Sequence, residues 1–229
     1  MGTNWQDSKY TRARKVSDFN IIHFVFSIVS LLIAVIGHEI MHGYAALKCG
    51  DKTALWADRL SLNPIKHIDL VGSIILPILL AVSGAPFLFG WAKPVPVDMR
   101  TVLQNKGFDG AIGVSLAGVT YNLALAAFAS LVLIFVPNDN ITGVAIGAFL
   151  QYLITVNVVL AVFNLWPIPP LDGANALGFS ALKFGATNFG YKILNIDGRV
   201  GMIFILIAVA TPASQILFAP AKWLLSILL

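Results

Sequence analysis

The stretch LLIAVIGHEIMHGYAALK, residues 31–48, sets three ionisable side chains, His38, Glu39 and His42, inside a run that otherwise reads as bilayer interior. On a helix, His38 and His42 stack on one face about 6 Å apart along the axis, and Glu39 lies about 100° round from His38. Two imidazoles so placed can hold one zinc ion while the carboxylate addresses a water bound to it. Zinc lowers that water's pKa towards about 7, and the glutamate can take its proton and hand it on to a leaving amine. In a soluble helix the HExxH pattern is only moderately specific. At mid-depth in a bilayer a charged side chain costs about 2.5–3.5 kcal/mol on insertion scales, so ionisable groups there have partners and a function.

Composition agrees with a membrane setting. Of 229 residues, 58% are hydrophobic and 11% charged, against about 45–50% and about 25% in an ordinary soluble domain. This is the composition of an all-α polytopic membrane protein whose surroundings are the lipid bilayer. The net charge of +4 comes from Lys and Arg in short segments between apolar runs, which fits membrane orientation and not nucleic-acid binding. The single cysteine, Cys49, excludes an intrachain disulfide and a cysteine-based metal cluster. Residues 1–20 are polar and lead into the first apolar run without a small-residue cleavage site, which reads as an uncleaved first helix.

Crossing about 30 Å of hydrocarbon takes about 20 helical residues. Residues 21–47, 111–136, 141–166 and 200–218 qualify, and the tail APAKWLLSILL is too short to span alone. Residues 70–91 are apolar but broken by Pro77 and by Gly84-Ala85-Pro86, which predicts either one irregular span or a re-entrant hairpin. The expectation is one membrane-embedded domain over residues 1–229 with about 4–6 spans.

A catalytic zinc usually keeps three protein ligands and a water, so a third ligand must come from elsewhere in the chain. The candidates at the ends of apolar runs are His23, His67, Asp69, Asp109 and Asp172. His23 sits about 22 Å up the same helix from His38 and is removed. His67, Asp69 and Asp109 lie in polar connections, where solvated side chains are expected. Asp172 ends a segment, residues 167–173, in which Pro167, Pro169 and Pro170 deny the helix its hydrogen bonds. Unwound backbone at membrane depth is tolerated only against protein or a wet cavity, which makes Asp172 the strongest candidate.

HEIMH followed by NLWPIPPLDG resembles the paired signature of the site-2 protease family, intramembrane zinc metalloproteases that cut transmembrane segments of other proteins. RLSLNPIKHID (residues 59–69), GWAKPVPV (90–97) and SLAGVTYN (115–122) extend the resemblance, which is to a compact bacterial and archaeal branch with neither a PDZ nor a CBS domain. It implies one zinc per chain held by His38, His42 and Asp172, with Glu39 as general base. It further implies that Asn122, which closes an AGPxxN pattern, and Asn164, the first residue of NxxPxPxLDG, engage substrate or intermediate, with Pro167 beside them. The chain departs from the pattern at Val119, where AGPxxN has proline, and at Leu70, where relatives often have proline after the aspartate. Read from the residues alone, each asparagine is either an interhelical hydrogen-bond partner or a donor to the oxyanion or the substrate strand.

Topology supplies further expectations. If 70–91 were one span, Asp172 would emerge on the face opposite His38 and His42, so a single metal site requires the hairpin. Counting Lys and Arg gives the same ten-to-four split for either arrangement. With the hairpin, the metal faces the positive, cytosolic side of a bacterial or archaeal cell membrane and the PNDN turn at 137–140 faces out. GWAKPVPVD is expected near the site as a short extended strand able to pair with an unwound transmembrane substrate. Two other classes compete with a protease. A zinc transporter would spread His and Asp along a path, and a non-proteolytic binding homologue would lose the glutamate of HExxH. Nothing in the sequence encodes the substrate's identity, the pathway or the oligomeric state.

Overall fold

The computed structural model describes residues 21–75, 79, 82 and 92–229. The first helix, α1 (Ile21–Lys48), has 28 residues, about 42 Å at 1.5 Å per residue. A short turn of helix, α2 (Thr53–Trp56), a 3₁₀ turn at Pro64–His67 and a π-helical turn at Leu70–Ile75 follow. The hairpin expected over 70–91 lies, beyond that turn, outside the described residues. Next come α3 (Met99–Leu133) and α4 (Ile141–Asn164), then α5 (Asp172–Lys183), α6 (Thr187–Leu194), α7 (Gly198–Ala210), α8 (Ser214–Leu217) and α9 (Ala219–Leu228). Among the described residues no β-ladder forms, so the fold is all-helical.

Helices α1, α3 and α4 are long and apolar enough to cross a membrane, and α6 with α7, bent by 77° at their junction, form a fourth candidate as a pair. The chain is a polytopic membrane protein. Each boundary has a local cause. Asp98 accepts from the Arg100 amide at the start of α3, and Asn140, closing the expected PNDN turn, accepts from Gly143 at the start of α4. Gly107 breaks α3 near its start with φ +60°, a left-handed conformation open to glycine. The helix expected over 200–218 is interrupted at Thr211, which is extended (φ −114°, ψ 171°) because Pro212 follows it.

The three long helices pack on one another, and α5 closes against α3. The face α1 buries is built mostly from small residues, including Ser30, Ala34, Gly43 and Ala46, while Phe24, Ile28, Leu31 and Leu32 face outward. Small residues let membrane helices approach closely where there is no hydrophobic drive to hold them together. Two apolar clusters result: one joins α3, α4 and α9 around Ile154 and Val158, and the other joins α1, α3 and α5 around Val102 and Val114. The metal-ligating candidates are on α1 and α5, and α3 touches both.

Candidate active site

The helical spacing of HEIMH places His38 and His42 side by side, with their Nε2 atoms 3.1 Å apart. Asp172, the first residue of α5, brings its Oδ2 to 3.1 Å from Nε2 of His38 and 3.2 Å from Nε2 of His42. Its approach depends on the broken segment. Prolines 167, 169 and 170 prevent α4 from continuing, and the chain doubles back so closely that a Cβ on Gly173 would collide with the carbonyl of Leu165. Glycine at 173 is therefore needed for contact with the end of α4.

The opposite edges of the imidazoles fix their protonation. Nδ1 of His38 lies 2.6 Å from Oδ1 of Asn122, and Nδ1 of His42 lies 2.7 Å from the carbonyl of Val114. Both partners only accept hydrogen bonds, so both Nδ1 atoms carry the proton and, in the neutral rings, both Nε2 atoms present lone pairs. Two lone pairs and a carboxylate oxygen then converge within 4.8 Å of one another. Asp172 Oδ2 is buried with no hydrogen-bond donor of its own. Such a cluster of acceptors is repulsive unless a metal ion or a proton sits among them. Ligands at 2.0–2.2 Å from a tetrahedral zinc stand about 3.3–3.6 Å apart, a few tenths of an ångström wider than the separations found here. Two imidazoles and a carboxylate form a suitable donor set for a catalytic zinc, so the residues present fit the ion.

Two supports come from α3 and from the connection before it. Gly118 faces the histidines, where a Cβ would stand 2.5 Å from Nε2 of His42 and 2.6 Å from the His38 ring. A residue larger than glycine there would push into the ligands. Glu39, half-buried, accepts a hydrogen bond at its Oε2 from the backbone amide of Val95, 2.8 Å away. The segment 92–97 thus lies beside the site, as expected, although not as a strand. The Lys93 amide donates to the carbonyl of His67, the Arg59 guanidinium donates to the carbonyl of Lys93, and Pro94 and Pro96 have no N–H. Every N–H between residues 93 and 96 is already engaged.

The other residues singled out by sequence are placed as follows. Asn122 is fully buried and contacts His38 directly. Asn164, half-buried at the end of α4, donates to the carbonyl of Leu160 one turn back, and Pro167 is exposed. His23 is exposed and pairs with Tyr152, the Asp69 carboxylate caps the turn that follows it through the amides of Val71 and Gly72, and Asp109 pairs with Lys183. His67 corrects the expectation of a solvated side chain. It is 3% exposed, held in by its Nε2 contact with the Ser61 carbonyl and by the Lys93 amide on its own carbonyl. Sequence reading missed Gly118, the Val95 amide and Asn157. Asn157 was visible as an amide in the apolar run YLITVNVVLAVFN, two turns before Asn164. The role of the Val95 amide had no sequence signal.

No family model matches the chain, and no solved structure matches it. Curated relatives do. A Bacillus subtilis protein named "Putative zinc metalloprotease YwhC" is 35% identical over 179 residues, covering 73% of this chain and 77% of its own. A Methanocaldococcus jannaschii protein of the same description is 32% identical over 163 residues, covering 70% and 73%. Rip2 of Mycobacterium tuberculosis, also so described, is 35% identical over 158 residues, covering 67% of this chain and 56% of its own. With HExxH and NxxPxPxLDG meeting at one cluster of acceptors, and with relatives of this identity and coverage, the chain belongs to the site-2 protease family.

Proposed function

We propose that the chain is a zinc-dependent intramembrane endopeptidase that hydrolyses peptide bonds in or near transmembrane segments of other membrane proteins. The observation that carries this reading is the convergence of His38, His42 and Asp172 at 3.1–3.2 Å with Glu39 on the same membrane helix. The names of the relatives support zinc and proteolysis. Zinc bound there supplies a Lewis acid for the scissile carbonyl and makes water acidic enough to be deprotonated near neutral pH.

The chain's own residues do the rest. His38 and His42 present lone pairs because Asn122 and Val114 hold their Nδ1 protons. Glu39 is the general base. Its Oε2 accepts from the Val95 amide, which holds the carboxylate in place while it takes the proton from water and delivers it to the leaving nitrogen. Asn164 keeps one N–H and its Oδ1 beyond the bond to Leu160 and is the amide we assign to substrate, with Pro167 at the mouth of the same broken segment. Over residues 93–96 the backbone can only accept hydrogen bonds from a substrate strand, because its donors are engaged. A lipid-embedded peptide bond is shielded from water, and the unwound stretch between α4 and α5 is our candidate for the wall of the wet cavity the reaction needs. The single domain, the re-entrant hairpin and a cytosolic active site in a bacterial or archaeal membrane belong to the same reading.

The test is cleavage of a co-expressed transmembrane substrate by wild type and by Glu39→Gln. Wild type cuts and the variant does not. Equal cutting by both, or zinc transport across vesicles with no cutting, overturns the proposal.

A further inference from the structure

Asn157 lies two turns before the end of α4 and is wholly buried, like Asn122 on α3. The two amides are linked in a directed chain. Nδ2 of Asn157 donates to the carbonyl of Leu153 at 2.8 Å, one turn back in its own helix. Its Oδ1 must then face Asn122, where it accepts from Nδ2 at 2.8 Å. The same Nδ2 also donates to the carbonyl of Ala34 on α1, 3.1 Å away. With both hydrogens directed at oxygen acceptors, the Asn122 amide has one orientation that satisfies it, and that orientation turns its Oδ1 to His38 Nδ1 at 2.6 Å. A flipped amide would set its oxygen against two others, the Ala34 carbonyl and Asn157 Oδ1.

We infer that Asn157 is a positioning residue of the metal centre: acting through Asn122, it fixes the tautomer and orientation of His38 that present Nε2 to the metal. The inference rests on reading His38 as a metal ligand. Asn157 makes no hydrogen bond to His38, His42 or Asp172, yet it supplies one of the two acceptors that hold the Asn122 amide the right way round. Asn122 has no hydrogen-bonding valence left over for an oxyanion, since its Oδ1 and both N–H groups are engaged. Its role is thereby to hold His38, and Asn157 is the support behind it.

The experiment measures zinc affinity of the purified full chain in detergent by chelator competition, with the visible spectrum of the cobalt-loaded protein as a second readout. Asn157→Leu, which keeps volume and removes the acceptor, weakens zinc binding by about tenfold, the lower end of the effect of losing an outer partner of a ligating histidine. Asn157→Asp restores most of it, because a buried carboxyl stays protonated and offers one acceptor and one donor in the amide's place. In the double variant with Asn122→Leu, the loss equals that of Asn122→Leu alone, as expected for residues acting in series. The proposal is overturned if Asn157→Leu binds zinc as tightly as wild type. It is also overturned if the Leu and Asp variants lose zinc alike, or if the two substitutions add fully. None of these readouts requires a substrate, so failure of the protease reading would show separately, as absence of cleavage by a chain that binds zinc normally.

Discussion

The buried stripe of α3 runs Gly118, Asn122, Ala126, Ala129, and its two halves meet different surroundings. Ala126 and Ala129 pack against Leu150, Ile154 and Val158 of α4 and Ala221 of α9, with no polar group in the cluster. One turn away, Gly118 faces two imidazoles and Asn122 sits among His38, Ala34 and Asn157. In the apolar half, shape and volume suffice, and a neighbour of similar size can replace another. In the polar half each donor has one acceptor, so a lost partner leaves a buried group unsatisfied, at about 1–3 kcal/mol each. The same helix face thus holds a tolerant interface and an intolerant one.

Substitutions can sharpen that contrast. The largest effect is expected at Glu39→Gln, which should lower cleavage of a transmembrane substrate by about 10²–10⁴-fold, the range for a lost general base, while zinc content by atomic absorption stays at one per chain. Asp172→Ala should purify with little or no zinc, because two imidazoles remain of the three ligands a catalytic site keeps. Gly118→Ala should follow, since its Cβ would stand 2.5 Å from His42 Nε2; weakened zinc retention with helix content unchanged in circular dichroism is the expected result, and normal retention would show that α3 can withdraw. Asn122→Leu should weaken zinc binding by about 10–100-fold through loss of the His38 partner. In the apolar half, Ile154→Val should cost only about 0.5–1.5 kcal/mol in unfolding experiments and leave zinc affinity as it was. If Ile154→Val changed metal binding as much as Asn122→Leu, the distinction between the two halves would be lost.

Those two halves also explain how far sequence reading could reach. HExxH and the proline-broken LDG segment were readable because ionisable groups and prolines stand out against an apolar background. Asp172 followed from the shortage of ligands. The spans over 21–47 and 141–166 fell close to α1 and α4, since length and hydropathy decide them. Which side of each helix faces protein was far less readable. Ile28 and Leu31 on the outer face of α1 are as apolar as Ile36 and Ile40 on its buried face, because lipid is as good a solvent for them as a protein interior. The periodic contrast that marks a soluble helix is therefore weak here. For the same reason Asn157 could not be distinguished from an isolated interhelical amide, whereas the break of the 200–218 run at Pro212 is legible by the same proline rule as the LDG segment.

The sequence by itself determined the solvent, the chemistry and the family resemblance: a membrane chain with two imidazoles and a carboxylate in helical register, and a broken segment bearing a second carboxylate. These are local properties, set by spacing along one helix and by residues that forbid another. Only the tertiary structure decided which nitrogen of each histidine is free, that Glu39 is held by the Val95 amide, that Gly118 makes room for the rings, and that Asn157 stands behind Asn122. Each of those is a contact between groups distant in the chain, with a direction set by which atom donates and which accepts, and that direction exists only once the helices are packed.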